Sequence, residues 1–298
     1  GSFRQLRLPE PEVYLSASPY DASKDHSRVV TTGAALNRAS LNILPLQSEI
    51  IYGPVPSKRL GVSLGINILP TSYKLCSFSC LYCKYDWTSK PTPHLTYQTD
   101  DLPRPAEVAS ALDMSLHRLV KHRTKLDCIT FSGNGEPTLH PDLAEIIAAA
   151  KRVRDQYLPE VKLAILSNSS TVGSAEVRAA LEMLDLKVMK LDAGSEEMIR
   201  RLNNPMPNFY LGEIVAGLRS LTDVILQSLF VQGRVANTDP DSVERWLEKV
   251  REIQPRLVQV YSLDRLPTER KLWKVNLPTL QWIASQVRWR AGIPAEVF

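Results

Sequence analysis

Short apolar runs alternate with longer amphipathic stretches along most of the chain. The apolar runs predict six strands, at 62–69, 127–131, 161–166, 186–191, 224–231 and 257–263. The amphipathic stretches predict helices at 105–122, 195–202 and 210–221, and further helices that begin near Pro141, Ser174, Asp239 and Pro278. Because strands and helices alternate with short links, we expect right-handed crossovers and a parallel sheet. This pattern is compatible with an α/β partial barrel or with a doubly wound open sheet.

Capping residues and side-chain spacing support the individual assignments. Pro105 stands in a first helical turn, and Val108, Leu112 and Leu116 follow at helical spacing. Ser174 is expected to cap its helix through the side-chain oxygen. Residues 53–56, Gly-Pro-Val-Pro, are expected to form a loop that proline stiffens.

The composition divides the chain into three parts. Residues 1–47 carry scattered Ser, Thr, Pro and charges, and are expected to form an irregular N-terminal extension or, alternatively, an arm that binds a partner. Residues 48–265 hold the strand–helix units. Residues 266–298 are expected to form a C-terminal helical extension.

Polar residues follow each predicted strand at its carboxyl end, where parallel α/β folds collect their chemistry. The second strand leads into 132–137, the third into 167–170, and the fourth ends at Lys190 and Asp192. Gln227 and Arg265 are weaker candidates at the fifth and sixth strands. Any one of these segments could be an ordinary loop, but all are predicted to lie at one edge of the sheet.

Three of the four cysteines, Cys76, Cys80 and Cys83, fall within eight positions. An odd group of three cannot be fully paired in disulfides, so the pattern favours metal binding or catalysis. A structural zinc site and a ferredoxin-type cluster each use four protein ligands. Three ligands would leave one iron of a [4Fe–4S] cluster open for chemistry. The fourth cysteine, Cys128, lies in an apolar run and is expected to be a core residue.

The spacing C-x-x-x-C-x-x-C, with Tyr82 just before the last cysteine, resembles the signature of the radical S-adenosylmethionine (radical SAM) superfamily. The resemblance implies that SAM chelates the open iron and that the reduced cluster cleaves it to methionine and a 5′-deoxyadenosyl radical. It also implies the partial (β/α)6 barrel rather than the open sheet. An electron donor such as flavodoxin or ferredoxin is implied as a partner.

The segments at the strand ends extend the resemblance to the SAM site. Residues 133–136 resemble the glycine-rich motif that holds the methionine amine, although Asn134 separates the two glycines and Glu136 could orient the loop instead. Residues 52–67 and 190–194 resemble a subgroup named after the wyosine tRNA-base synthases. The resemblance implies these cofactor-binding candidates: Tyr82, Gly133, Asn134, Gly135, Glu136, Ser167, Asn168, Lys190 and Asp192. For Lys190, an ion pair with Asp192 is the alternative.

Charge and hydropathy add modest constraints. The chain has 36 basic and 32 acidic residues, and the resulting net charge of +4 neither requires nor excludes a nucleic-acid partner. No apolar run approaches the ~20 residues needed to span a membrane. No signal peptide is visible. Free cysteines and an oxygen-sensitive cluster predict a reducing cytoplasm. The basic run 117–125 is expected to be a solvated helix end, with an RNA-binding patch as the alternative.

The sequence therefore predicts a radical SAM enzyme that abstracts hydrogen from an unidentified substrate. Lys58, Arg59, Lys190 and Arg265 favour an anionic substrate, such as an RNA base in a polynucleotide or a small acidic metabolite. The alternatives are a protein-modifying radical enzyme such as a glycyl-radical activase, or a non-catalytic iron–sulfur or zinc protein. Residues 1–75 contain no cysteine, so the second cluster of the wyosine synthases is not expected.

Overall fold

A computed structural model describes residues 44–88, 90–92 and 100–298. Most of the predicted extension 1–47 lies outside these residues. The six predicted strands are all present and lie side by side in one sheet. The strands of the chain are β1 Ile51–Ser57, β2 Gly61–Ile66, β3 Leu75–Cys76, β4 Lys90–Pro91, β5 Cys128–Phe131, β6 Lys162–Ser167, β7 Leu186–Lys190, β8 Val224–Leu229, β9 Val231–Gly233, β10 Leu257–Tyr261, β11 Leu272–Lys274 and β12 Ala295–Val297.

The helices fall between the strands, as the amphipathic stretches predict. A short 3₁₀ helix, Pro137–Leu139, follows β5. The α-helices are α1 Pro105–Lys121, α2 Leu143–Tyr157, α3 Ala175–Leu181, α4 Glu196–Asn203, α5 Leu211–Arg219, α6 Pro240–Ile253 and α7 Leu277–Arg290.

The main sheet has the order β1-β2-β5-β6-β7-β8-β10-β12. Every pair from β2 to β12 is parallel, and only β1 runs antiparallel to its neighbour β2. The strands β2, β5, β6, β7, β8 and β10 form the partial (β/α)6 barrel that the sequence predicts. Their carboxyl ends share one edge, so the polar segments that follow them are brought together.

The two edges of this sheet contain strands that the sequence did not predict. β1 occupies the region expected to be a loop, and that prediction is wrong. Its prolines, Pro54 and Pro56, lack an N–H group and are tolerated because β1 is an edge strand. Residues 266–298 contain α7 and also β11 and β12, and β12 extends the parallel sheet beyond β10.

One apolar core joins the sheet to the helices. α1 buries Val108, Leu112 and Leu116 at the predicted spacing. In α6, Trp246 is fully buried and packs edge to face on Phe230, with ring centroids 5.1 Å apart. Burial of side chains of this size stabilises the fold by about 1.5–3 kcal/mol each. Among the described helices, none is long and apolar enough to cross a membrane.

Candidate active site

The cysteine loop is fixed on both sides by backbone hydrogen bonds. On one side, the Leu75 N–H donates to the Asn134 carbonyl, and the Glu136 N–H donates to the Leu75 carbonyl, both at 3.0 Å. On the other side, the Ser79 N–H donates to the Asn203 carbonyl at 3.1 Å, at the end of α4. The loop therefore lies between the turn after β5 and the carboxyl end of α4.

Each of the three cysteine sulfurs in this loop faces a side-chain nitrogen donor. The donors are Lys74 Nζ to Cys83 Sγ at 3.1 Å, Asn203 Nδ2 to Cys80 Sγ at 3.4 Å, and Asn168 Nδ2 to Cys76 Sγ at 3.6 Å. Lys74 and Asn203 are buried. Donors directed at sulfur stabilise thiolates, which are the form that binds iron.

Burial alone opposes charge on these sulfurs. It raises the pKa of Cys76 to about 12 and the pKa of Cys80 to about 11. Both thiols are therefore protonated at neutral pH until a metal replaces the protons. Burial also opposes charge on Lys74, but negative charge on the sulfurs of Cys83, Cys76 and Cys80 outweighs it and raises the pKa of Lys74.

Within the described residues, no three His, Cys, Asp or Glu side chains are arranged to hold a single metal ion. A [4Fe–4S] cluster requires a different arrangement of ligands, because its cysteines bind separate irons of one cluster. The three sulfurs need to surround a cluster rather than to converge on one point.

A buried carboxylate, Asp192, organises the residues beside the cysteine loop. Its Oδ1 forms an ion pair with Lys190 Nζ at 3.2 Å and accepts a hydrogen bond from the Leu229 N–H at 2.8 Å. Its Oδ2 accepts from the Tyr82 hydroxyl and from Asn203 Nδ2, the latter at 2.7 Å. Lys190 also donates to the Tyr261 hydroxyl at 2.6 Å. The ion pair considered as the alternative role of Lys190 is thus present.

Asn203 carries an unsatisfied acceptor at this site. Its Nδ2 faces Asp192, Tyr82 and Cys80, so the amide oxygen cannot exchange places with Nδ2 without meeting a carboxylate. The residue is 2% exposed, and its Oδ1 has no hydrogen-bond partner among the described residues. A small cavity lies beside it, lined by residues that include Asn168, Lys190, Asp192, Phe78 and Phe209.

The glycine-rich segment 133–136 uses its side chains to hold the loops together. Asn134 is fully buried, and its amide donates to the carbonyls of Gln47 and Pro70 while its oxygen accepts from the Gln47 N–H. Glu136 accepts from the Asn168 N–H at 2.6 Å and from the Thr138 hydroxyl at 2.7 Å. What these residues can offer to a ligand is backbone, and their contact with SAM stays a prediction.

The other predicted site residues differ in their surroundings. Ser167 is buried and accepts from the Ser169 N–H at 3.0 Å. Gln227 is buried and pairs with Gln259 at 3.0 Å. Cys128 is buried in β5, as expected of a core residue.

The remaining candidates lie nearer the surface. Lys58 forms an exposed ion pair with Asp264 at 3.3 Å. The basic side chains of the run 117–125, at the end of α1, are exposed, as expected of a solvated helix end.

Two important side chains, Lys74 and Asn203, were not among the predicted site residues. Lys74 lies two positions before Cys76, but a lysine in a loop carries no periodic signal. Asn203 is 123 positions from Cys80 and meets it only through the fold.

The architecture is that of the radical SAM enzymes. A radical SAM methyltransferase from Sphaerobacter thermophilus superposes with a TM-score of 0.58 at 15% identity, over 79% of this chain and 65% of that one. Streptococcus suis SuiB bound to S-adenosylmethionine gives a TM-score of 0.55 at 13% identity, over 87% of this chain and 52% of that one. At these identities the likeness is one of fold.

Sequence relatives identify the family. No established protein-family profile matches the chain. A UPF0026 protein from Synechocystis is 30% identical over 225 residues, which are 74% of this chain and 78% of that protein. The chain belongs to the UPF0026 family.

Other relatives are longer than the matched region. A UPF0026 protein from Methanocaldococcus jannaschii is 29% identical, and the match covers 65% of it. A protein named GTPase Obg from Brachyspira hyodysenteriae is 28% identical over 236 residues, and the match covers 32% of its length. The match thus spans 32% of one of these two relatives and 65% of the other.

Proposed function

We propose that this protein is a radical SAM enzyme in which Cys76, Cys80 and Cys83 hold one [4Fe–4S] cluster. When bound, the reduced cluster supplies the electron that cleaves SAM to methionine and a 5′-deoxyadenosyl radical, which abstracts hydrogen from the substrate. The proposal rests mainly on one observation. The sulfurs of Cys76, Cys80 and Cys83 each face a side-chain nitrogen donor at the carboxyl edge of a parallel sheet. A flavodoxin or ferredoxin is the proposed electron donor.

The residues of the cysteine loop and Lys74 fit a [4Fe–4S] cluster. Buried thiols that stay protonated without a metal need a cationic centre to become thiolates, and iron provides one. The ammonium of Lys74 balances the negative charge that ligation leaves on sulfur. Three cysteines also leave one iron of a four-iron cluster without a protein ligand.

An unpaired acceptor beside the loop supports SAM as the second ligand. The unpaired Oδ1 of Asn203 is an acceptor, and SAM carries ammonium and hydroxyl donors. Asp192 holds Tyr82 and Asn203 in place through its Oδ2. The rings of Phe78 and Phe209 pack edge to face, with centroids 5.7 Å apart, and line the small cavity beside Asn203.

For the substrate, we propose an anionic molecule, in keeping with the resemblance of 190–194 to the wyosine-synthase subgroup. Burial lowers the pKa of Lys84, the nearby Cys83 sulfur opposes this, and the positive charges of Arg265 and Arg59 lower the pKa further. Among the described residues, no carboxylate lies within ion-pair distance of these three side chains. Like charges gathered without a carboxylate counter-ion favour an anion between them.

Anaerobic reconstitution tests the cluster and the reaction together. We expect about four irons per chain, as the cluster type requires. After reduction with dithionite, SAM should be cleaved slowly even without substrate, and chromatography should show 5′-deoxyadenosine. A protein that holds the cluster and SAM but forms no 5′-deoxyadenosine would contradict the enzyme assignment.

The four cysteines offer a matched control for this experiment. Cys80→Ala should lose the iron, whereas Cys128→Ala should retain it because Cys128 is buried in β5 away from the cysteine loop. Tightly bound zinc without iron–sulfur absorbance would instead favour the zinc-protein alternative.

A further inference from the structure

Lys74 is a buried lysine whose side-chain partners are unusual. Lys74 is 4% exposed. Its Nζ donates to Cys83 Sγ at 3.1 Å and to the Asp86 carbonyl at 2.8 Å. Among the described residues, no carboxylate lies within ion-pair distance of it. Within the part of the chain that the structure describes, the nearest group able to carry negative charge is the Cys83 sulfur.

Lys187, the second buried lysine of the described residues, shows what such a residue ordinarily needs. It is also 4% exposed, and its Nζ lies 2.9 Å from the Glu182 carboxylate. An unpaired buried charge is strongly unfavourable, so buried ammonium groups are found with anionic partners. For Lys74, the Cys83 sulfur takes the place of a carboxylate partner.

We propose that Lys74 is the counter-ion of the iron–sulfur cluster, holding its negative charge and raising its reduction potential. The inference rests on the proposed function, because it requires the cluster. Reduction adds one electron to the cluster and breaks no bond. A fixed positive charge beside Cys83, screened little by water, stabilises the reduced state more than the oxidised state. Lys74 would thus act as a positioning and electrostatic residue rather than as a catalytic one.

The test compares two variants of Lys74 with a matched control. Lys74→Met keeps much of the length of the side chain and removes its charge, whereas Lys74→Arg keeps the charge. Lys187→Met removes a lysine of equal burial near the amino end of β7, away from the carboxyl edge that carries the cysteine loop. Each protein is reconstituted anaerobically, its iron is counted, and its cluster is titrated by electron paramagnetic resonance against redox mediators.

We expect Lys74→Met to lower the ratio of reduced to oxidised cluster at least tenfold at a fixed potential, a shift of about 59 mV to more negative values. Lys74→Arg and Lys187→Met should stay near the wild-type midpoint. If Lys74→Met folds but binds no iron while Lys74→Arg binds it, the charge is needed to hold the cluster, which also supports the proposal.

Two results would overturn the proposal that Lys74 is the counter-ion of the cluster. One is a Lys74→Met protein with full iron content and an unchanged midpoint. The other is an equal loss of fold or cluster in Lys74→Met and Lys74→Arg, which would mean that the site needs the shape of lysine and not its charge. A wild-type protein that never forms a cluster would instead refute the proposed function itself.

Discussion

At the scale of single residues, Gly135 links the glycine-rich segment to the cysteine loop. Its backbone has a φ of +143°, and a Cβ placed there would lie 1.7 Å from the Leu75 carbonyl oxygen. The resemblance implied that this segment holds the methionine amine of SAM, and a glycine leaves room for such an approach. The structure adds another reason, since the backbone next to Cys76 occupies the space that a side chain would need.

Gly135→Ala should therefore disturb the cluster site as well as the fold. Strain at this φ and the contact with Leu75 are each costly, and we expect a loss of about 2–4 kcal/mol in the free energy of unfolding, with reduced iron content. Urea denaturation and iron analysis measure both. Gly212→Ala in α5 is the control, because nothing lies within 4 Å of its Cβ position, and it should be neutral or stabilising by up to about 1 kcal/mol. A Gly135→Ala protein with wild-type stability and full iron content would contradict this.

The site residues could be predicted where their role depends on the spacing of nearby residues in the sequence. The three cysteines, and Asp192 two positions after Lys190, could be identified from the sequence. Lys74 and Asn203 could not, because their roles depend on contacts that exist only in the folded chain. Glu136 lies between these cases: its position suggested a role in orienting the loop, and its hydrogen bonds to Asn168 and Thr138 give it one.

At the scale of elements, a buried arginine joins α2 to the strands beside it. Arg154 is 4% exposed, donates to the Val161 carbonyl, and lies 3.0 Å from Asp185 Oδ2. Asp185 also accepts from the Leu163 N–H at 2.8 Å in β6. These hydrogen bonds offset the burial of Asp185, so its pKa lies below its ordinary value of 3.8.

Asp185→Asn should destabilise the protein at pH 7. Removing one partner of a buried charge is costly, but water screens Asp185, whose side chain is 34% exposed, so we expect a loss of about 1–2 kcal/mol. Because the folded pKa is lowered, the stability from Asp185 is complete above pH 3.8 and is lost as the pH falls through the folded pKa. The difference between wild type and variant, measured by denaturation, should therefore shrink on acidification.

Asp155→Asn is the matched control for this ion pair. Asp155 also contacts Arg154, at 2.6 Å from its Nε, but its side chain is 45% exposed. We expect a smaller loss of stability than in Asp185→Asn. A larger loss in Asp155→Asn would show that the exposed carboxylate is the more important partner. A deficit in Asp185→Asn that grows as the pH falls would contradict the lowered pKa of Asp185.

Elements with a strong apolar period were predicted well, and short edge elements were not. The six barrel strands are buried apolar runs, and α1 has its apolar residues at regular helical spacing. β12 has three residues with an exposed Glu296 at its centre, and it is a strand only because β10 pairs with it. β1 carries two prolines, which indicate a loop unless the strand is known to lie at an edge.

At the scale of the whole molecule, contacts between side chains bridge the two edges of the open barrel. The turn between β1 and β2 places the Arg59 guanidinium 4.4 Å from the centroid of the Tyr261 ring, at the end of β10. The same guanidinium lies 5.9 Å from the centroid of the Phe298 ring, next to β12. Tyr261 in turn accepts a hydrogen bond from Lys190. The bridge between the sheet edges is therefore continuous with the residues around Asp192.

Arg59→Ala should remove the contacts of Arg59 with Tyr261 and Phe298 that join the two sheet edges. The cation–π contact with Tyr261 is worth about 0.5–2 kcal/mol, so we expect a loss of stability in that range. Because the contact joins the two sheet edges, amide hydrogen exchange should quicken in β12 and around the β1–β2 turn, whereas β5 to β7 should keep their protection. Hydrogen exchange followed by mass spectrometry resolves these segments.

Lys58→Ala removes the same charge from the same turn and is the control for this variant. Lys58 and Asp264 are 70% and 46% exposed, and an ion pair so open to water contributes about 0–1 kcal/mol. Exchange in β12 should then stay close to wild type in Lys58→Ala and rise only in Arg59→Ala. If both variants quicken it equally, charge at the turn rather than stacking on Tyr261 keeps the edges together. If neither does, the pairing of β12 with β10 is sufficient to hold that edge of the barrel.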